Sequence, residues 1–278
     1  MRRALLVAFM SLVWFGCDRT GRRGLDPLYR EPMINGYLDR VEFYDGDVGY
    51  WRELSVFDPA GLRMVPEVRI NQIQVPCYYY SWTNYRYGDE NYFQVSKRYK
   101  LEVDHYWGTA FARVVMPGNF RLTYPPSDSY ILDLESTLVI TWRRADGAQW
   151  YWVDAYCCYD FYDSLYRWDD HEFEFDTTVS DTFLILAPGR VFPSYVMDVI
   201  EGDGSALVWA GYGPPVEPGD YGNVRGNGFG FFNAFNEAKE RYFWVGAPIA
   251  ERRSPGVRES RAKLRSRIER RTQLAWPR

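Results

Sequence analysis

Histidine is almost missing: the 278-residue chain has two, His105 and His171. A Ser-His-Asp triad would have to use one of them, and no GxSxG turn is present to hold its serine. Cysteine is scarce too. There are four, and none stands in a CxxC or is joined by an HxxxH of the kind that holds zinc. No phosphate-binding loop or dinucleotide fingerprint occurs, since Gly226-Asn-Gly-Phe-Gly230 is too short and follows a loop rather than a strand. The apolar stretch Ala4 to Phe15 is shorter than the ~20 residues a membrane-spanning helix needs. These absences remove the common catalytic constellations. They lead us to expect a chain that is not an enzyme and uses no cofactor and no metal.

Positive charge is in short supply over most of the length. Ten of the 33 basic residues and three of the 37 acidic ones fall in 251–278, so this tail carries +7 and the remainder −11. An acidic body repels phosphate, which argues against nucleic acid as a partner. Only the tail could attract an anionic surface. What is plentiful is aromatic: 23 Tyr, 17 Phe and 11 Trp make up 18% of the chain. Such residues favour pleated, half-buried surfaces, and 16 Pro and 23 Gly punctuate many short strands. Composition alone predicts an all-β body.

The N-terminus points to a compartment. Arg2-Arg3 precedes the twelve-residue apolar run, and the chain turns polar at Asp18. That order suits a signal peptide, with Trp14 where a small residue would precede ordinary cleavage. Gly16-Cys17 at the end of the run resembles the lipobox of bacterial lipoproteins. The resemblance implies lipidation of Cys17, a mature chain starting there, and anchoring to an envelope membrane without a spanning helix. Secretion by other processing and an uncleaved signal anchor are the alternatives that the same residues allow.

From there we expect residues 1–17 as signal peptide, 18–32 as tether, 33–117 as a first sandwich domain, 118–250 as a second, and 251–278 as a basic helical or disordered tail. In the first domain, Val68 to Ile70, Ile73 to Val75 and Tyr99 to Val103 alternate apolar and polar residues, as strands with one wet face do. In the second, Thr137 to Trp142 alternates and ends in Trp, a polar turn follows, and Ala148 to Tyr156 returns. This stretch resembles the B and C strands of fibronectin type III-like domains, through Val139 with Leu138 beside it, Trp142, Tyr151 and Val153. The resemblance implies two tandem Ig/fibronectin type III-like sandwiches with Trp142 between the sheets. Further strands are expected at Glu172 to Phe175, Thr182 to Leu186 and Ser194 to Ile200, the last closed by a turn at Gly202-Asp-Gly204. Gly211 to Gly230 reads as a long exposed loop, and Pro255 to Leu274 as a helix with a thin apolar stripe at Val257, Leu264 and Ile268.

Two clusters invite a functional reading. Asp169 to Asp176 (DDHEFEFD) is dense in oxygen ligands, yet Glu172, Glu174 and Asp176 alternate with Phe173 and Phe175, which is the pattern of a solvated acidic face over a core. Tyr78, Tyr79, Tyr80, Trp82, Tyr85 and Tyr87 crowd one stretch and could form a recognition platform for a glycan or an envelope protein. Packing between the sandwiches is the competing reading. Adjacent Cys157 and Cys158 on a strand point to opposite faces, so one thiol is expected inside and one outside, with Cys77 making an odd third. The function expected is a non-enzymatic, envelope-anchored binding or structural module. The alternative is a glycan-binding or glycan-processing protein using an acid pair such as Asp169 and Glu172.

Overall fold

The computed structural model describes residues 31–42, 47–77, 82–87, 92–126, 130–215 and 222–246, without the side chains of Tyr85 and Tyr87. Cys17, the tether up to residue 30, Tyr78 to Tyr80 and the basic tail with its expected helix lie outside the described residues.

The regular structure of the described chain is all strand apart from one short helical turn, as composition predicts. Strands β1 (Met33–Glu42), β2 (Val48–Phe57), β3 (Glu67–Ile70), β4 (Ile73–Gln74) and β5 (Asn84–Tyr87) come first. There follow β6 (Arg98–His105), β7 (Gly108–Val115), β8 (Leu122–Tyr124), β9 (Ile131–Leu132) and β10 (Leu138–Trp142). A long hairpin, β11 (Trp150–Asp163) and β12 (Trp168–Val179), leads to β13 (Phe183–Leu186) and the single turn α1 (Pro188–Val191). The chain then runs through β14 (Val196–Tyr212), β15 (Arg225–Gly226), β16 (Phe229–Glu237) and β17 (Arg241–Val245).

A nine-stranded sheet dominates, ordered β12-β11-β14-β16-β1-β2-β5, with β17 on the part of β14 that β16 leaves open and β9 beside β17. Two smaller sheets, β13-β10-β8 and β15-β7-β6-β3-β4, complete the fold. Both cover the same side of the large sheet. Val153 stands opposite Val208 and Ala210 opposite Asn236, and Leu38 opposite Ala234, so period-2 alternation carries one inner face across both halves. Over one half, β13-β10-β8 closes a core of Ile140, Trp142, Tyr151, Val153, Val208 and Phe243. Over the other, the five-stranded sheet closes a core of Ile34, Leu54, Trp82, Leu101, Val114 and Phe232. Asn236 marks the seam: its side-chain NH2 donates to the carbonyls of Pro117 and Gly118, where the chain passes from one small sheet to the other.

The core under β13-β10-β8, the second along the chain as the one under the five-stranded sheet is the first, has the strand order of an Ig-like sandwich, with β8, β10 and β13 in the places of A, B and E and β11, β14 and β17 in those of C, F and G. Trp142 is 4% exposed and its ring centroid lies 5.3 Å from that of Tyr151.

Three expectations about the chain's course are corrected. The two sandwiches are not successive along the chain. Strand β16, from the expected second domain, pairs in parallel with β1 over Met33 to Arg40, and Val224, Phe232 and Ala234 pack in the first core. The reason is visible in β1, which is buried on both faces along most of its length and so needs a partner on each edge. Gly202-Asp-Gly204 is not a turn, because β14 runs straight through it. A Cβ at Gly202 would run into the Cys158 carbonyl and Tyr159, and one at Gly204 into the Phe243 ring, so these glycines mark close approach rather than reversal. Gly211 to Gly230 is not all loop. It ends β14 and then supplies β15, whose Arg225 and Gly226 pair with Phe111 and Ala110.

Candidate binding surface

The β11–β12 hairpin outruns the sheet that covers it. Its inner residues alternate with outer ones as far as Phe161, the last to enter the core. Beyond Phe161 the apolar residues lose their cover. Tyr162 and Trp168 are Cα partners across the strands, Leu165 and Tyr166 sit in the turn, and Tyr195 and Met197 stand at the adjoining start of β14. All six are exposed, Tyr166 by 86% and Trp168 by 61%. Single exposed hydrophobics need no explanation, but six at one end of a molecule form a patch of the kind that marks an interaction site.

The tip is held rather than loose. Asp163 Oδ1 accepts the backbone N–H of Leu165 at 2.8 Å and of Arg167 at 2.9 Å, while Oδ2 accepts from Arg167 Nε at 2.9 Å. These donors, Arg167 first, hold the Asp163 carboxyl below its ordinary range. Tyr166 sits at φ 54°, a left-handed conformation unfavourable for a bulky side chain, which the turn's hydrogen bonds maintain. Behind it, the Tyr195 hydroxyl lies 3.3 Å from His171 Nδ1, and its ring packs 5.7 Å from Phe161. Carboxylates flank the rings: Asp169, Asp170 and Asp198 lie on the paired strands.

The residues singled out in the sequence fare differently. Trp82 is 1% exposed and packs in the first core, where its carbonyl accepts from Arg52 Nε, so its ring offers no recognition platform. Tyr85 and Tyr87 lie on β5, in register with Trp51 and Gly49. Tyr92, in the same stretch, turns inward against Phe93 and Tyr50, with the Arg86 guanidinium 4.5 Å above its ring. Packing, the competing reading, describes Trp82 and Tyr92.

On β12 the acids alternate as the pattern predicts: Glu172, Glu174 and Asp176 are exposed, Phe173 is buried and Phe175 half-buried. Asp169 and Glu172 are three apart on one strand and therefore point to opposite faces. They form no acid pair across a cleft, and the expected catalytic geometry is absent for this pair. Among the described residues, no three His, Cys, Asp or Glu side chains converge to hold a metal ion.

Cys157 is buried and Cys158 partly exposed, on opposite faces as neighbours on a strand must be. Burial pushes both thiols above the ordinary cysteine range, Cys157 far above it. Neither is poised as a thiolate nucleophile. His105 sits at the β6–β7 tip beside the exposed Tyr106 and Trp107, and burial lowers its pKa.

The hairpin tip is not among the residues that the sequence singles out. Its signal is the run of aromatics on both sides of Asp163-Ser164, which the denser tyrosines at 78–92 outweigh.

No family model matches the chain, and no curated protein matches it. Among solved structures, the chain is similar to the fibronectin(III)-like modules of Clostridium thermocellum CbhA. The identity is 9%, over 81% of this chain and 98% of that one, with a TM-score of 0.25. A likeness that slight carries no argument about fold or function.

Proposed function

We propose that this chain is a non-enzymatic lipoprotein, tethered to a bacterial envelope through Cys17, that works as a binding module of fibronectin type III-like build. The observation that supports binding is the β11–β12 tip, where an organised turn presents Tyr162, Leu165, Tyr166 and Trp168 to solvent. Loops at the ends of a sandwich are free to vary while the sheets hold them in place, which is why such folds recognise partners there. Aromatic rings supply contact area at low entropic cost, and a turn already fixed by Asp163 loses little freedom on binding.

A glycan is the second reading for the ligand. Trp168 and Tyr166 beside Asp163, Arg167, Asp169 and Asp170 combine stacking planes with hydrogen-bonding groups, as sugar recognition requires.

The test is capture of partners from intact envelopes by the full chain and by Trp168→Ser and Tyr166→Ser variants. We expect both variants to lose the partner while melting as the wild type does. Equal capture by all three would remove the tip from the function. Competition by soluble envelope glycans separates a glycan ligand from a protein one. Cys17→Ser tests the tether, since it should release the protein from membranes. Mass spectrometry that finds an uncut chain with unmodified Cys17 would end the lipoprotein reading.

A further inference from the structure

The five-stranded sheet turns one face away from its core. On β7, Ala110, Ala112 and Val114 are buried while Phe111 and Arg113 between them are exposed, so these two side chains project from the outer face. Strand β15 pairs with only two positions of β7, Ala110 and Phe111. The chain at 222–224 bonds to Gly230 instead. Where it leaves β7, Phe111, Ala112, Arg113, Asn223 and Arg225 line an open hollow of about 250 Å³. The Thr109 carbonyl accepts from Asn227 N–H on the β15 side. Backbone groups two residues apart on a strand point the same way, so the Arg113 N–H is directed to this open edge.

Two arginines give the hollow its chemistry. Arg225 is fixed: its Nη1 donates to the carbonyls of Gly222 at 3.0 Å and Val224 at 2.9 Å, which leaves Nε and Nη2 for a ligand. Arg113 has no side-chain hydrogen bond or ion pair among the described residues. The acids that pair with this part of β7 are already engaged. Glu102, the Cα partner of Phe111, is bonded to Lys100 at 2.5 Å, and Asp104, the partner of Thr109, to Arg69 and the Thr109 hydroxyl. Asn223 is tied to the Phe232 backbone through both its amide atoms. One guanidinium held in place and another free beside it suit a carboxylate, which accepts two parallel N–H bonds from a planar fork. Phe111, 40% exposed, adds an apolar plane to the wall.

We propose that this hollow binds an acidic sugar, a uronic acid within a glycan chain. Its carboxylate sits between Arg225 and Arg113, the C–H face of its ring lies on Phe111, and a ring hydroxyl accepts the Arg113 N–H. Size favours a single ring, since the hollow is smaller than the ~300–1,000 Å³ of sites for drug-sized ligands. An aromatic plane beside a few convergent polar groups is the make-up of a small-ligand site rather than of a bare anion site. An added peptide strand fits less well, because past Phe111 only Arg113 and Val115 of β7 turn backbone groups to this edge. The hollow lies on the sheet over the first core, apart from the β11–β12 tip, and does not depend on the binding assigned to that tip. It gives the acidic body a cationic site of its own, made by folding rather than by the tail.

Calorimetric titration of the full chain with trigalacturonic acid at low salt tests this. The wild type should bind it saturably. Arg113→Gln and Arg225→Gln should each weaken binding roughly tenfold, the loss of one charge-assisted contact, and Phe111→Ser should weaken it several-fold. All three should melt as the wild type does, because the altered side chains are exposed. The methyl ester of the same trisaccharide, which lacks the charge, should not bind. Absence of wild-type binding overturns the proposal. So does binding that the three substitutions leave unchanged. If that binding is lost on removal of residues 251–278 it belongs to the basic tail, and if it is lost in Trp168→Ser it belongs to the β11–β12 tip. Inorganic phosphate or pentaglutamate bound as tightly through the same two arginines would overturn the choice of a sugar.

Discussion

Trp142→Ala should cost this protein a large part of its stability. Trp142 ends β10 inside the second core, 4% exposed and against Tyr151, whose hydroxyl accepts the buried Ala145 N–H at 2.9 Å. Removing a buried Trp ring costs about 3–5 kcal/mol in lost transfer energy and cavity formation. At about 2–4 °C per kcal/mol for a chain of this size, the melting temperature should fall by roughly 6–20 °C. Trp142→Phe makes a sharper control. The Trp142 Nε1 is buried without a hydrogen-bond partner among the described residues, a defect that costs about 1–3 kcal/mol. Phenylalanine gives up part of the ring but removes that donor, so the two changes offset and the variant should melt within a few degrees of the wild type. Because the large sheet belongs to both cores, we also expect one cooperative transition, seen alike by calorimetry and by aromatic circular dichroism. An alanine variant melting within about 2 °C of wild type would refute the packing argument. A phenylalanine variant as damaged as alanine would refute the unsatisfied-donor argument, and two separate transitions would refute the role given to the shared sheet.

Tyr166→Gly relieves a left-handed conformation and should stabilise by about 0.5 kcal/mol in denaturant melts, even as it removes a ring from the binding surface. The Asp163 carboxyl is depressed in the folded turn, so its contribution is present above the ordinary carboxylate pKa and is lost as pH falls through the lower folded value. The protection of the Leu165 and Arg167 amides, taken relative to intrinsic exchange at each pH, should then fall in acid but not in Asp163→Asn, and identical pH profiles of protection would contradict the turn's dependence on that charge. With a maleimide under native conditions, Cys158 should label well ahead of Cys157, whose burial and raised pKa protect it; comparable rates would mean the β11 register is wrong.

The strands with one wet face are legible in the sequence itself. β6, β7, β10, β11 and β12 alternate at period 2, so burial of Trp142, solvation of Glu172, Glu174 and Asp176, and the opposed faces of Cys157 and Cys158 all follow from local spacing. Gly202 and Gly204 read locally as a turn, because the neighbouring chain cannot tell a glycine that bends from one that makes room for a ring brought in by a distant strand. Trp82 belongs to a crowd of tyrosines that looks like a surface, and only packing on Leu54 and Arg52 puts it inside.

Composition and periodicity thus determined by themselves that the described chain is built of strands, which positions alternate, and that the excess of positive charge lies at one end. Tertiary structure alone decided that β16, from the far end of the chain, returns to lie beside β1, that both halves share one sheet, and that the β11–β12 tip stands clear of its cover. The physical reason is one of range. Side-chain alternation is set by neighbours two residues apart, whereas the choice of strand partner is set by which edges and faces remain unpaired once every other strand has been placed.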